Sequence, residues 1–180
     1  MWKLHVNPIK SLQMKKYIDL YFTTATILNW YPLLAADAHK EIVIDAFRHC
    51  VQHKRANIWA FVIMNNHIHL IWQILAPYEL PDVRRDMLKY ISQTIKNSLV
   101  LKGEISTLDC FKVDKSDRYI QIWKRRPLSI EIINEGVLQQ KLNYIHNNLA
   151  RKGMNDIDYK YSSASFYATG ICNWDFLLPL

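Results

Sequence analysis

His67-Ile68-His69 places two imidazoles on alternate residues inside an apolar run from Ile58 to Gln73. On a strand, residues two apart project from the same face, about 6–7 Å apart along the chain. His67 and His69 would then stand side by side, with Ile68, Leu70 and Trp72 pointing the other way. Imidazole is the commonest metal ligand among side chains, so the pair could hold one divalent ion. A satisfied surface or core pair without metal also fits the spacing. A second pair of reactive types lies far along the chain. Tyr144 and Asn148 are four apart, one above the other on a helix. They flank a tight apolar stripe of Leu138, Leu142, Ile145 and Leu149. A phenol with a carboxamide one turn away could present a nucleophile and a metal ligand together. A boundary tyrosine and a polar asparagine on an ordinary amphipathic helix is the other reading.

Taken together the two pairs suggest one chemistry. A phenol ionises near pH 10 and is a weak nucleophile at neutral pH. It attacks a phosphodiester usefully where phosphorus is polarised and the leaving 3′ oxygen is stabilised. A divalent ion held by two imidazoles and one amide oxygen does both. Such a donor set suits Mg2+ or Mn2+ with positions open to phosphate oxygens; zinc fits the ligands but suits this chemistry less.

These groups must be positioned by regular elements. Asp19–Ile27, rich in Tyr, Phe and Thr, predicts a strand that Asn29-Trp30-Tyr31-Pro32 breaks. Ala35–His53 predicts a helix with Ile42, Ala46, Phe47 and Cys50 on one face. Ile58–Ile74 predicts a hairpin closed by Asn65-Asn66, residues that tolerate the positive φ of a two-residue turn. The histidines then begin its second strand. Pro81-Asp82 opens a second helix to about Lys102, with Met87, Ile91, Ile95 and Leu99 at helical spacing and Gly103 as its stop. Glu104–Asp117 reads as loop, and Arg118–Ile133 as strand material interrupted by Pro127. Asn134 caps a third helix that the spacing carries to Gly153. The first six elements predict an α+β, ferredoxin-like antiparallel sheet with two helices on one face. The third helix, bearing the tyrosine, would cover the other.

With 180 residues, half of them hydrophobic, the chain predicts a single domain, its core at about 19–153 and an aromatic, irregular tail at 154–180. The net charge of +7 favours a polyanionic partner, nucleic acid above all. Six Trp, ten Tyr and six Phe supply surfaces on which bases can stack. Three widely spaced cysteines make neither a disulfide framework nor a zinc cluster, and fit a cytoplasmic protein. Residues 1–16 lack the continuous apolar region of a signal peptide, and no stretch is long and apolar enough to span a membrane.

Here the chain resembles a known family, the single-tyrosine HUH transposases, and especially the REP-associated tyrosine transposases that process single-stranded DNA. Val62-Ile63-Met64-Asn65-Asn66-His67-Ile68-His69-Leu70-Ile71-Trp72 resembles the family's signature of a hydrophobic residue, Met-Pro-Asn-His, a hydrophobic residue and His-Leu. Tyr144-Ile145-His146-Asn147-Asn148-Leu149-Ala150-Arg151-Lys152-Gly153 resembles its tyrosine helix. Ile122-Trp123-Lys124-Arg125-Arg126 is similar to its Trp-Gln-Arg-Arg segment, and Tyr159–Ala164 to its Trp-Ser-Ser tail. The likeness runs from about Tyr21 to Tyr167. It implies His67 and His69 as the metal pair, Asn148 as a third metal contact, Tyr144 as the nucleophile that takes a 5′ phosphate, and Mg2+ or Mn2+ as cofactor. The implied activity is single-stranded DNA endonuclease and transesterase chemistry in DNA transposition, recombination or repeat-hairpin processing.

The chain departs from the pattern in places. Asn65 stands for the usual proline. Leu149-Ala150 stand for Pro-Val, which extends the helix toward Gly153. The Pro127–Glu131 segment lacks a polar pair common in the family. The resemblance also gives the basic residues a role. Arg84, Arg85, Lys89, Lys96, Lys124, Arg125, Arg126, Arg151 and Lys152 become candidate contacts to DNA phosphates, although each cluster also fits a solvated face. Rival readings are a non-catalytic nucleic-acid-binding module and a replication initiator or relaxase-type nickase. The expected partner is single-stranded, hairpin-forming DNA, with no membrane, for a monomer or a homodimer.

Overall fold

The computed structural model describes residues 17–115, 118–148 and 159–179. In chain order its elements are β1 (Leu20–Thr26), α1 (Asp37–Gln52), β2 (Ala56–Ile63), β3 (His67–Ile74), α2 (Leu80–Leu101) and α3 (Ile105–Asp109). There follow β4 (Lys112–Lys115), β5 (Arg118–Ile120), β6 (Leu128–Glu131), α4 (Glu135–His146) and α5 (Ala164–Thr169). Four strands form one sheet in the order β2-β3-β1-β6, with every neighbouring pair antiparallel. This is the α+β, ferredoxin-like order predicted from the sequence.

Strand alternation divides the sheet between two cores. Ile68, Leu70 and Trp72 of β3 join Val43, Phe47, Met87, Ile91 and Ile95, so α1 and α2 share one face. Leu20, Phe22, Val62 and Ile71 join Leu138, Leu142 and Ile145, so α4 covers the other. The α1 face is centred on Val43, Phe47 and Cys50, with Ile42 only partly buried. In β2 a register shift between Ile58 and Ala60 puts Ile58 in the first core and Ala60 in the second. The irregularity switches faces without ending the strand.

Three expectations need correction. The α4 helix ends at His146 rather than near Gly153, with Asn147 as its C-cap and the Asn148 N–H reaching Ile145 O in a tighter turn. Asn is a poor helix former because its side chain can compete for the backbone, and two in succession stand at this end, where there is no proline. Residues 149–158, with Arg151 and Lys152, lie outside the described residues. Second, Asn65-Asn66 closes the hairpin without positive φ; the described non-glycine residues that have it are Asp19, Asn29, Trp30, Lys54 and Arg126. The two turn carbonyls accept from Leu34 N–H and Ile27 N–H, both at 2.8 Å, and these bonds set the turn. Third, Glu104–Asp117 holds α3 and the paired strand β4, not loop alone.

A chain of polar contacts ties β3, β1 and β6 to α2. Trp72 Nε1 donates to Thr23 Oγ1 at 2.9 Å, Thr23 meets Ser129 Oγ at 2.9 Å, and Arg84 Nη1 donates to Ser129 at 2.8 Å. Trp72 is fully buried. Thr23→Val strands its indole N–H and is expected to destabilise the protein by about 1–3 kcal/mol in urea unfolding. Adding Trp72→Phe in that background should recover part of the loss, since the unpaired donor disappears.

Asp86 on α2 accepts from Arg55 Nη2 at 2.7 Å and from Arg85. The Arg55 hydrogen bond holds its carboxyl below the usual carboxylate range. Its pKa is thus lower folded than unfolded. The resulting stabilisation is complete above about pH 4 and is lost as pH falls through the folded value. Melting temperature should therefore drop below about pH 4, and should drop less in Asp86→Asn, as followed by circular dichroism from pH 7 to pH 2.

Candidate metal and nucleophile site

The register places His67 and His69 on the α4 side of a central strand, opposite Thr26 and Thr24 of β1. Both are buried, at 9% and 3% exposure, so their orientation is set by neighbours rather than by water. Asn66 sets the first. Its Nδ2 donates to Trp30 O at 3.1 Å, and its Oδ1 lies 2.7 Å from His67 Nδ1. A backbone carbonyl only accepts, so the amide nitrogen faces Trp30 and the amide oxygen faces the ring. His67 Nδ1 is then the donor, and in the neutral ring the lone pair falls on Nε2. Thr24 Oγ1 lies 2.7 Å from His69 Nδ1 and orients the second ring. Phe22 stacks on it at 5.5 Å.

Tyr144 reaches the same place from α4. Its ring centroid is 5.0 Å from that of His69 and 5.7 Å from that of Phe22, edge-on to both. The two imidazoles are 4.8 Å apart. Asn148, just past the helix end, lines the same cleft of about 380 Å³ with His67, His69 and Tyr144. All four candidates thus meet in one cavity. Two nearby tyrosines are tied up elsewhere. Tyr159 Oη donates to Ile63 O and burial pushes its pKa up to about 12; Tyr167 Oη donates to Trp59 O and burial raises its pKa further. Tyr144 is the tyrosine that lines the cleft, and it is 38% exposed.

The tail motif has a positioning role. Ser163 Oγ accepts from Phe61 N–H at 3.0 Å and lies 3.0 Å from His146 Nε2. The last turn of α4 is thereby fastened to β2, two residues from Tyr144.

Two imidazoles and one amide oxygen are too few ligands for a closed structural zinc site, which takes four, but could hold a divalent ion with an open coordination sphere. Among the described residues no three His, Cys, Asp or Glu side chains cluster as a metal site. Two imidazoles and an amide oxygen are what this cleft offers, which leaves coordination positions for phosphate oxygens.

Several contributors escaped the sequence reading. Thr24 and Asn66 orient the histidines. Lys141 lines the cleft with its Nζ 5.2 Å from the Phe22 centroid; its place one turn before Tyr144 was the available signal. Of the basic residues, Arg84, Arg85, Lys124, Arg125 and Arg126 line one cleft between α2 and the segment before β6. Lys89 and Lys96 line an adjoining one that shares Leu88 and Trp123 with it. Within this set Arg84 is partly buried on Ser129, and Arg85 pairs with Asp82 and Asp86.

The sequence matches no family model and no curated protein. Solved structures do match. A REP-associated tyrosine transposase bound to a REP hairpin superposes with a TM-score of 0.62 at 17% identity, over 99% of this chain and 92% of that one. A candidate transposase from Deinococcus radiodurans matches with a TM-score of 0.46 at 14% identity, over 71% of this chain and 88% of that one. The first of these establishes a shared fold. No helix among the described residues is long and apolar enough to cross a membrane.

Proposed function

We propose that this chain is a single-stranded DNA endonuclease and transesterase of the transposase type, with Tyr144 as nucleophile. The observation that carries the reading is the convergence of Tyr144 with His67 and His69 in one cleft, from elements more than 70 positions apart in sequence. In the reaction, Tyr144 Oη bonds to the scissile phosphorus and the bond from phosphorus to the 3′ oxygen breaks. The phenolic proton is balanced by the proton taken up on the departing 3′ hydroxyl. The 5′ phosphate stays on the tyrosine as a diester, which conserves the bond energy for a later joining step.

His67, His69 and Asn148 would hold Mg2+ or Mn2+, which when bound polarises the phosphate and stabilises the leaving oxygen. Thr24 and Asn66 hold the imidazoles in orientation, as outer partners of metal ligands commonly do. Lys141 offers a cation beside Tyr144 for a non-bridging phosphate oxygen. The basic clefts along α2 offer phosphate contacts for DNA beyond the cleavage point. The fold likeness to a transposase holding a REP hairpin supports hairpin-forming DNA as the substrate class.

The test is cleavage of end-labelled single-stranded hairpin DNA, drawn from repeats flanking the gene, with Mn2+ and with EDTA. A labelled species that runs with denatured protein, formed only with metal, supports the reading. Tight binding with neither cleavage nor adduct would move the assignment to a non-catalytic DNA-binding module, which the separate basic clefts would still serve. Cleavage with no adduct would leave the metal site standing and remove Tyr144 from its role.

A further inference from the structure

The segment after β1 carries a feature that the chemistry above leaves unused. Asn29 and Trp30 both have left-handed backbone, with φ of 55° and 58°. Asparagine tolerates this conformation, but a bulky aromatic there is a true outlier. Strain of that kind persists where surrounding contacts impose it, and it gathers at ligand-binding positions. Here the contacts are identifiable. Trp30 N–H donates to Ile27 O at 3.1 Å, and Trp30 O accepts from the Asn66 side chain that also orients His67. A strained backbone thus holds out a large apolar ring: Trp30 is 55% exposed.

The ring lies at the rim of the His67–Tyr144 cleft. It stands nearly perpendicular to His67, with centroids 6.0 Å apart. Lys124 Nζ sits 4.4 Å from its centroid. Lys124 is itself fixed by a backbone hydrogen bond to Thr26 O, and it also lines the basic cleft on α2. An exposed indole with a cation at hand, between a basic groove and the His67–Tyr144 cleft, matches what single-stranded nucleic acid requires. Bases stack on aromatic rings while neighbouring phosphates meet lysine or arginine.

We propose that Trp30 is a stacking platform for a nucleobase of the single strand next to the scissile phosphate, with Lys124 meeting the adjoining phosphate. The proposal rests on the DNA reading above, and adds to it the side chain that grips a base. Stacking selects for a base and not merely for charge, which makes the two separable.

The experiment is fluorescence anisotropy in EDTA with two labelled 12-mers, one of mixed-sequence DNA and one fully abasic with the same phosphates. Trp30→Ala should bind the base-bearing strand about tenfold more weakly than wild type, the lower part of the range for one base–aromatic stack. It should bind the abasic strand as wild type does, and Trp30→Phe should restore most of the loss. Circular dichroism controls for folding. Unchanged binding in Trp30→Ala overturns the platform, as does an equal loss on both strands, which would make Trp30 only a support for Lys124. A wild type that cannot distinguish the strands overturns it too. Cleavage with Mn2+ is scored separately. Cleavage with unchanged Trp30→Ala binding defeats the platform alone, and the platform result without cleavage defeats the transesterase reading alone.

Discussion

Tyr144→Phe is expected to fold as the parent does, to form no covalent DNA product, and to cleave single-stranded hairpin DNA at a rate reduced by roughly 10³-fold or more. The substitution removes one oxygen from a side chain that is 38% exposed. The phenylalanine ring keeps the edge-on contacts to His69 and Phe22, so packing is preserved while the proposed nucleophilic oxygen is removed. Binding should change little, because the basic clefts lie on α2 and the segment before β6, away from α4. A denaturing gel reads the adduct, and anisotropy in EDTA reads the binding. Full cleavage by Tyr144→Phe would transfer the nucleophile's role to water or to another residue.

His69→Ala should abolish Mn2+ binding and Mn2+-dependent cleavage together. His69 lies on a central strand at 3% exposure, between Thr24 and Phe22 and beside Tyr144. Because alanine also opens space in the cleft, His69→Gln serves as a variant of closer volume that lacks the imidazole. A subtler version tests orientation rather than ligation. Thr24→Val keeps the ring but removes its oxygen partner, and should weaken Mn2+ binding by about 10–100-fold, the usual effect of losing such an outer partner. Isothermal titration with Mn2+ measures all three variants without DNA. Unaltered Mn2+ affinity in His69→Ala would remove this residue from the ligand set, whatever its effect on cleavage.

The parts of this site that could be read in the sequence are those set by local periodicity. His67 and His69 share a face because strands alternate, and Tyr144 stands beside the Leu138–Leu142–Ile145 stripe because helices turn every 3.6 residues. The sheet order followed from the sequence of elements. What could not be read depends on register or on contacts across the fold. Thr24 opposes His69 only once β1 and β3 are aligned residue by residue. Asn66 acquires its meaning from Trp30, 36 positions away.

The ends of elements were obscured for related reasons. The α4 helix ends at His146 with Asn147 as its C-cap, where the sequence pattern offered Gly153 as the signal; asparagine is a weak helix former. Strand β4, Lys-Val-Asp-Lys, is too short and too charged to show an apolar alternation. Two basic residues illustrate the remaining gap. Arg84 and Arg85 look alike in sequence, yet burial on Ser129 occupies one and two carboxylates neutralise the other. Their charge alone does not say how much each has left for a phosphate.

The most direct measurement is the identity of the atom that holds DNA. The protein is incubated with Mn2+ and single-stranded hairpin DNA, the mixture is digested with nuclease and trypsin, and peptides are sequenced by mass spectrometry. A nucleotide phosphate linked to Tyr144 is expected in the wild type, and no modified peptide in His69→Ala. Attachment at any other residue, or efficient strand cleavage with no attachment at all, would contradict this expectation.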